Sequence, residues 1–191
     1  WRGSRCLDGH RAANISAVLD DQESWGDARR LPQNIDKSFQ GSVLVGMGFV
    51  LNEAAAKEYI LQRESNNEVI KPYLSGDDVN THPQQSASRW AIDFRDASLD
   101  DCERKWPELI ELIRATVKPQ RDKVRRKAHR ENWWQHGDKR PALYKRISEL
   151  EEVFVIARVT KYVAIVKVSA AQVFHDKVYV FDLPGWHSFS I

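Results

Sequence analysis

The stretches VFVIARV (residues 153–159), YVAIVKV (162–168) and KVYVF (177–181) set the fold class. β-Branched and aromatic residues dominate all three, and short breaks separate them, which is the pattern of neighbouring strands. The first two are apolar on both alternating faces, so they are expected to lie centrally in a sheet. Between them, Thr160–Lys161 makes a poor two-residue hairpin because neither residue favours positive φ. A wider loop is expected there.

Working outward, SVLVGMGFV (42–50) reads as a strand in which Gly46 and Gly48 leave one side bare for another backbone. Asn52 is placed to cap a helix running to Gln62. KPYLSGDDVN (71–80) combines an extended Lys-Pro pair, a Ser-Gly turn and two acids poised as helix caps. Trp90, Ile92 and Phe94 alternate with Ala91, Asp93 and Arg95, the period of a half-buried strand. Leu109, Ile110, Ile113 and Val117 recur at helical spacing with Pro107 in the first turn. Gln120 to Asn132 reads as a polar helix with almost no apolar stripe. These elements predict an α+β fold, a mostly antiparallel sheet with a helical middle section. Residues 1–38 are polar and interrupted, with only AANISAVL (12–19) apolar enough for an element. They read as a lead-in segment from an upstream domain, and 39–191 as the main domain. The start at Trp1 and the stop at Ile191, beyond Trp186 and Phe189, read as those of a fragment of a larger enzyme.

The formal charge of the 191 residues is only +2, but it is segregated. Between Lys118 and Arg146 eleven Lys and Arg face Asp122, Glu131 and Asp138, a net +8 that leaves −6 for the remainder. A basic face on an acidic body is the footprint of a polyanionic partner. If Gln120–Asn132 is one helix, Arg121, Arg125 and His129 share a face, and Lys123, Lys127 and Arg130 an adjacent one. Phosphate contacts are accordingly expected from Lys118, Arg121, Lys123, Arg125, Arg126, Lys127, Arg130, Lys139 and Arg140. Trp133–Trp134 would pack in the core, wedge into DNA or stack on a displaced base. No apolar run approaches the roughly 18 residues of a membrane span, and no secretory leader is evident, so a soluble, cytoplasmic protein is expected.

Other chemistries find little support. Cys6 and Cys102 lack metal-ligand spacing and read as free thiols. The Gly46-Met-Gly48 turn suggests a nucleotide or S-adenosylmethionine loop, but Leu51 stands where a third glycine is needed, and sheet packing is preferred. Asp93, Glu103 and Lys105 would be the set for a metal-dependent nuclease. Glu103, however, reads as helix-start charge. The six histidines show no HExxH pattern, and no nucleophile turn accompanies them.

FQG (39–41), GMGF (46–49), KPYLSGDD (71–78), RWAIDF (89–94), VKPQR (117–121), WW (133–134) with RP (140–141), and ARVTK (157–161) follow one another in a particular order. That order resembles the MmeI-like family of type IIL/IIG restriction-modification enzymes and related adenine-specific DNA methyltransferases. The resemblance covers residues 39–191 and implies a target-recognition region downstream of a methyltransferase domain. It further implies double-stranded DNA and the methyltransferase domain of the same parent chain as partners, with base readout by Arg158, Thr160, Lys161 and Tyr162. The family's Asn/Asp-Pro-Pro-Tyr motif is absent, and Asp182-Leu-Pro-Gly-Trp186 is no version of it. Neither catalysis nor a cofactor is therefore expected in this stretch, S-adenosylmethionine belonging to the parent enzyme. A nuclease or methyltransferase subdomain, or a protein-docking subdomain, is the alternative.

Overall fold

The computed structural model describes residues 5–13, 15 and 31–182. The chain divides into two compact units, Trp1–Ile35 and Asp36–Ile191. In the first, β1 (Arg5–Leu7) and β2 (His10–Ala12) form an antiparallel hairpin, turned through Asp8 and Gly9 at positive φ. The rest of the element expected over 12–19, and the segment from 183 onward, lie outside the described residues.

The second unit is α+β, with two four-stranded sheets around a central helical region. Its first strands are β3 (Ser38–Gln40) and β4 (Val50–Leu51). The segment between them is not the strand its composition predicts. Ser42 and Val43 make only isolated bridges, the backbone then turns at Val45 (φ 53°) and Gly46 (φ 149°), and Met47–Phe49 forms a 3-10 turn. Helix α1 (Glu53–Gln62) begins where expected, with the Asn52 side chain accepting from Ala55 N–H. Next come β5 (Ile70–Leu74), α2 (Gly76–Thr81) and β6 (Arg89–Ile92). Helix α2 opens with a reciprocal capping box between Ser75 and Asp78. Helix α3 spans Leu99–Lys105, so Glu103 lies in its second half and not at its start.

Helix α4 (Pro107–Thr116) follows from its apolar spacing, with Pro107 in the first turn. It buries Leu109, Ile110 and Ile113, each contributing about 1.5–3 kcal/mol relative to exposure. Glu108 in its first turn accepts from Asn66 and Arg63, tying the helix start to the segment after α1. Three short helices follow, α5 (Lys118–Arg121), α6 (Lys127–Glu131) and α7 (Pro141–Ile147). The continuous helix expected over 120–132 is thus broken at 122–126. In one helix, Lys123 and Lys127, and likewise Arg126 and Arg130, would stack as like charges four residues apart.

The C-terminal strands are β7 (Glu152–Ala157), β8 (Val166–Ser169), β9 (Val173–Phe174) and β10 (Val178–Phe181). One sheet has the order β3-β10-β7-β8 and is antiparallel throughout. The other has the order β4-β6-β5-β9, with only β5 and β9 parallel. Strand β7 is central as expected, whereas YVAIVKV yields only an edge strand from Val166 onward. Each sheet covers its own core. Phe49, Ile70, Ile92 and the buried side of α4 fill the first, and Leu143, Ile147, Val155 and Val180 the second. The β5–β9 pair divides them, Tyr73 and Val173 packing into the first core and Leu74 and Phe174 into the second.

His136 is buried in the first core, edge-on to Phe49 at 5.0 Å, with Nε2 2.8 Å from the Ile92 carbonyl. Burial pushes its pKa below 6.5 despite the Asp93 carboxylate 3.7 Å away. Burial likewise lowers His129 and His175. The unfolded chain therefore binds more protons than the folded one below about pH 6.5, and stability falls as pH drops through that value. Urea midpoints are expected to decrease from about pH 7 to about pH 5, with a shallower slope in His136→Gln. An equal slope in the variant would show that His136 does not titrate on unfolding.

Candidate nucleic-acid interface

The basic segment sorts into interior and exterior cations. Arg121 ends the single turn of α5 and is 1% exposed. Its guanidinium donates to four backbone carbonyls: Nε to Val45 at 2.6 Å, Nη2 to Leu44 at 2.7 Å and Gln135 at 2.9 Å, and Nη1 to His129 at 3.3 Å. Burial lowers its pKa to about 10, so it stays cationic at neutral pH. Expected as a phosphate contact, Arg121 is instead an internal clamp, because all three of its nitrogens are engaged inside the fold. Val45, one of its acceptors, holds a left-handed φ that costs a β-branched residue about 1–3 kcal/mol. The clamp explains why the strand-forming sequence around it bends.

Arg130 also turns inward, its Nη1 donating to Val124 O at 2.7 Å and Arg125 O at 2.8 Å. It shapes the 122–126 turn that displays Lys123, Arg125 and Arg126. Those three side chains are exposed and make no hydrogen bond or ion pair among the described residues. The remaining basic candidates have partners. Lys118 pairs with Asp122 at 3.0 Å and Lys127 with Glu131 at 3.4 Å. Lys139 contacts Asp96 and Gln135, and Arg140 contacts Asp138 and Gln40. The structure therefore displays the turn in place of two helical rows.

A second exposed feature is the eight-residue loop 158–165 joining β7 to β8, wider than a two-residue hairpin. The Thr160 hydroxyl donates to Tyr162 O at 2.7 Å and accepts from Tyr162 N–H, closing a local turn. Asn80 reaches across to Val159 O at 2.9 Å. Arg158 is exposed, and Lys161 lies 5.1 Å from the ring of Tyr162, itself 70% exposed. Val159 and Val163 are 74% and 84% exposed. Polar and apolar side chains thus share one projecting tip.

The enzyme-like candidates do not converge. Asp93 is buried and accepts from Arg95 N–H at 3.0 Å, whereas Glu103 pairs with Arg114, and Lys105 lies against Trp106. Among the described residues, no group of three His, Cys, Asp or Glu is placed to hold a metal ion. A Cβ on Gly48 would meet Thr116 Oγ1 at 2.1 Å, so the glycine turn serves close packing against α4. The turn borders a cavity of about 160 Å3, below the 300–1,000 Å3 typical of cofactor sites. Trp133 is buried, and Trp134 donates from Nε1 to Ala97 O at 3.0 Å, which gives both rings a packing role. Cys102 is buried and Cys6 exposed, both as free thiols.

The sequence reading missed Arg95 and Tyr144. The Arg95 guanidinium carbon lies 3.5 Å from the Tyr144 ring centroid, at the edge of an open cavity of about 420 Å3. A polar residue between a strand and a helix and a tyrosine 49 positions later carry no shared pattern in sequence.

Removing the buried clamp is expected to cost far more than removing an exposed cation. Arg121→Met takes the donor from the carbonyls of Val45, His129 and Gln135, while Leu44 O keeps the Gly137 N–H, and should lower unfolding free energy by about 3 kcal/mol. Arg121→Lys restores only part of this, since an ammonium lacks the planar fork, and Arg126→Ala should stay within about 0.5 kcal/mol of the parent. Chemical denaturation of the three variants measures the difference. Equal destabilisation at positions 121 and 126 would refute the division into interior and exterior cations.

No protein-family model matches the sequence, and no curated protein matches it. Among solved structures, the fold is similar to that of the type IIL restriction-modification enzyme MmeI in complex with DNA, with a TM-score of 0.62 and 14% identity. The likeness covers 90% of this chain but 22% of that one. At this identity it is a likeness of fold.

Proposed function

We propose that residues 39–191 act as the DNA target-recognition domain of an adenine-specific DNA methyltransferase or restriction-modification enzyme. The observation that carries the reading is the exposed, unpartnered cation set Lys123, Arg125 and Arg126. It is displayed on a fold similar to that of an enzyme solved with DNA. These side chains supply sequence-blind attraction to phosphates. Lys118, Lys127, Lys139 and Arg140 add to it where a phosphate displaces their surface carboxylates, whose pairing is worth at most about 1 kcal/mol each. The 158–165 loop supplies the reading. Arg158 and Lys161 offer donors for guanine acceptors, Tyr162 and the two valines offer contact with thymine methyl groups, and Thr160 holds the turn. Methyl transfer and S-adenosylmethionine belong to a methyltransferase domain of the same parent chain.

Duplex binding is expected to weaken steeply with salt. Three neutralised phosphates give a slope of log K against log salt of about −3, steeper if paired cations join. In Lys123→Ala/Arg125→Ala/Arg126→Ala the slope should flatten by about 3 and affinity should fall equally for all sequences. Fluorescence anisotropy over a salt series measures both, and a salt-independent affinity would sink the reading.

Replacing Arg158 or Lys161 in the parent enzyme should relax recognition at a single base position, by about 1–3 kcal/mol for each bidentate hydrogen-bond pair removed. Sequencing of methylated DNA reads this directly. An unchanged recognition site for every substitution from 158 to 162 would make the loop structural only.

A further inference from the structure

The guanidinium of Arg95 is fixed from several directions at once. Its backbone holds a left-handed φ of 52°, kept there by the Asp93 carboxylate, which accepts from Arg95 N–H at 3.0 Å. The same carboxylate lies 2.9 Å from Arg95 Nε. One guanidinium face rests on Tyr144, with Cζ 3.5 Å from the ring centroid. Tyr144 is immobilised in turn, its hydroxyl oxygen accepting from Ser42 Oγ and from Phe174 N–H, both at 3.1 Å. Arg95 Nη1 is buried, yet the side chain as a whole is 42% exposed.

Arg95 and Tyr144 together line the cavity of about 420 Å3, whose other walls include Ile147, Leu150, Ala170 and Ala171. Asp93 neutralises Arg95 locally, and apolar walls penalise a hydrated anion. A bare phosphate is therefore a poor occupant. A flat, delocalised cation between apolar walls suits a planar π-system, which gains both stacking and cation–π attraction.

We propose that this cavity receives one unpaired nucleobase, stacked on Arg95 over Tyr144, in the role that Trp133–Trp134 cannot fill from the core. The proposal rests on the DNA-binding reading and names a second, structure-selective element within it. Bases stack on arginine planes with little dependence on identity, so the site discriminates unpaired from paired DNA and not one sequence from another.

The test compares a perfect duplex with the same duplex carrying one unpaired 2-aminopurine as a bulge, using the full chain. The bulged duplex is expected to bind about ten-fold tighter. Ala171→Phe, which fills the cavity from its exposed rim, and Arg95→Lys, which removes the flat cation, should each abolish the preference. Perfect-duplex binding through the Lys123–Arg126 turn should persist in both. Equal binding of the two duplexes by the parent protein, or a preference that survives Ala171→Phe, overturns the proposal. Absence of all duplex binding would instead overturn the wider DNA reading, and a second arm then decides the cavity. Titration with free deoxyadenosine should shift the Arg95 Nε–H resonance, and no shift refutes the site. Binding of N-acetyltryptophanamide with equal strength would also overturn it, by assigning the cavity to a protein aromatic side chain.

Discussion

One guanidinium ties together two segments that the backbone joins through a single antiparallel bridge, Val43 to Asp138. Arg121 gathers the carbonyls of Leu44 and Val45 on one side and of His129 and Gln135 on the other. A buried charge is costly to desolvate, and only a dense set of acceptors repays that cost. Here the acceptors are four backbone carbonyls, those of Leu44, Val45, His129 and Gln135. The turn at Val45 and Gly46, the close approach of Gly48 to α4 and the course of 129–135 all depend on this centre. Gly137 belongs to the same arrangement, since a Cβ there would meet the Val45 side chain at 2.4 Å.

The division of labour among cations follows from it. Because Arg121 and Arg130 satisfy carbonyls, they shape and support the turn that carries Lys123, Arg125 and Arg126 outward. A charge count over the segment treats all these residues alike, whereas the fold assigns them opposite environments. The same holds for aromatic residues. Trp133 and Trp134 are committed to packing, while Tyr144, which no motif singled out, underlies a preoriented guanidinium.

What could be read in the sequence was local. The Asn52 cap of α1, the apolar spacing of α4 behind Pro107 and the β-branched apolar run of β7 each arise from residues a turn or a strand apart. The bend in SVLVGMGFV was hidden because its cause lies 76 residues away, and backbone carbonyls leave no mark in a sequence. The break between α5 and α6 was hidden for a related reason. With no apolar stripe over 120–132, periodicity measures only the spacing of charges, which a turn accommodates as readily as a helix. YVAIVKV misled in the opposite direction, because Tyr162 and Val163 face solvent where burial would have made them strand. Of the candidate interface, the charge was legible. Which cations are free, and how the 158–165 loop is braced, were not.

The parallel β5–β9 pair bears on the order in which the molecule can assemble. Strand β9 brings Val173 into a core otherwise built from residues between Leu44 and Trp133. Its register, Tyr73 opposite Val173, joins positions 100 residues apart in the second unit. Such non-local pairing closes late, because chain entropy must be overcome before the contact repays it. As the chain leaves the ribosome, β4, β6 and β5 can associate, yet β5 keeps a bare edge until residue 173 has emerged. During that interval the edge is open to strands of other chains. Synthesis of the last third is therefore what ends the aggregation-prone phase of the first two.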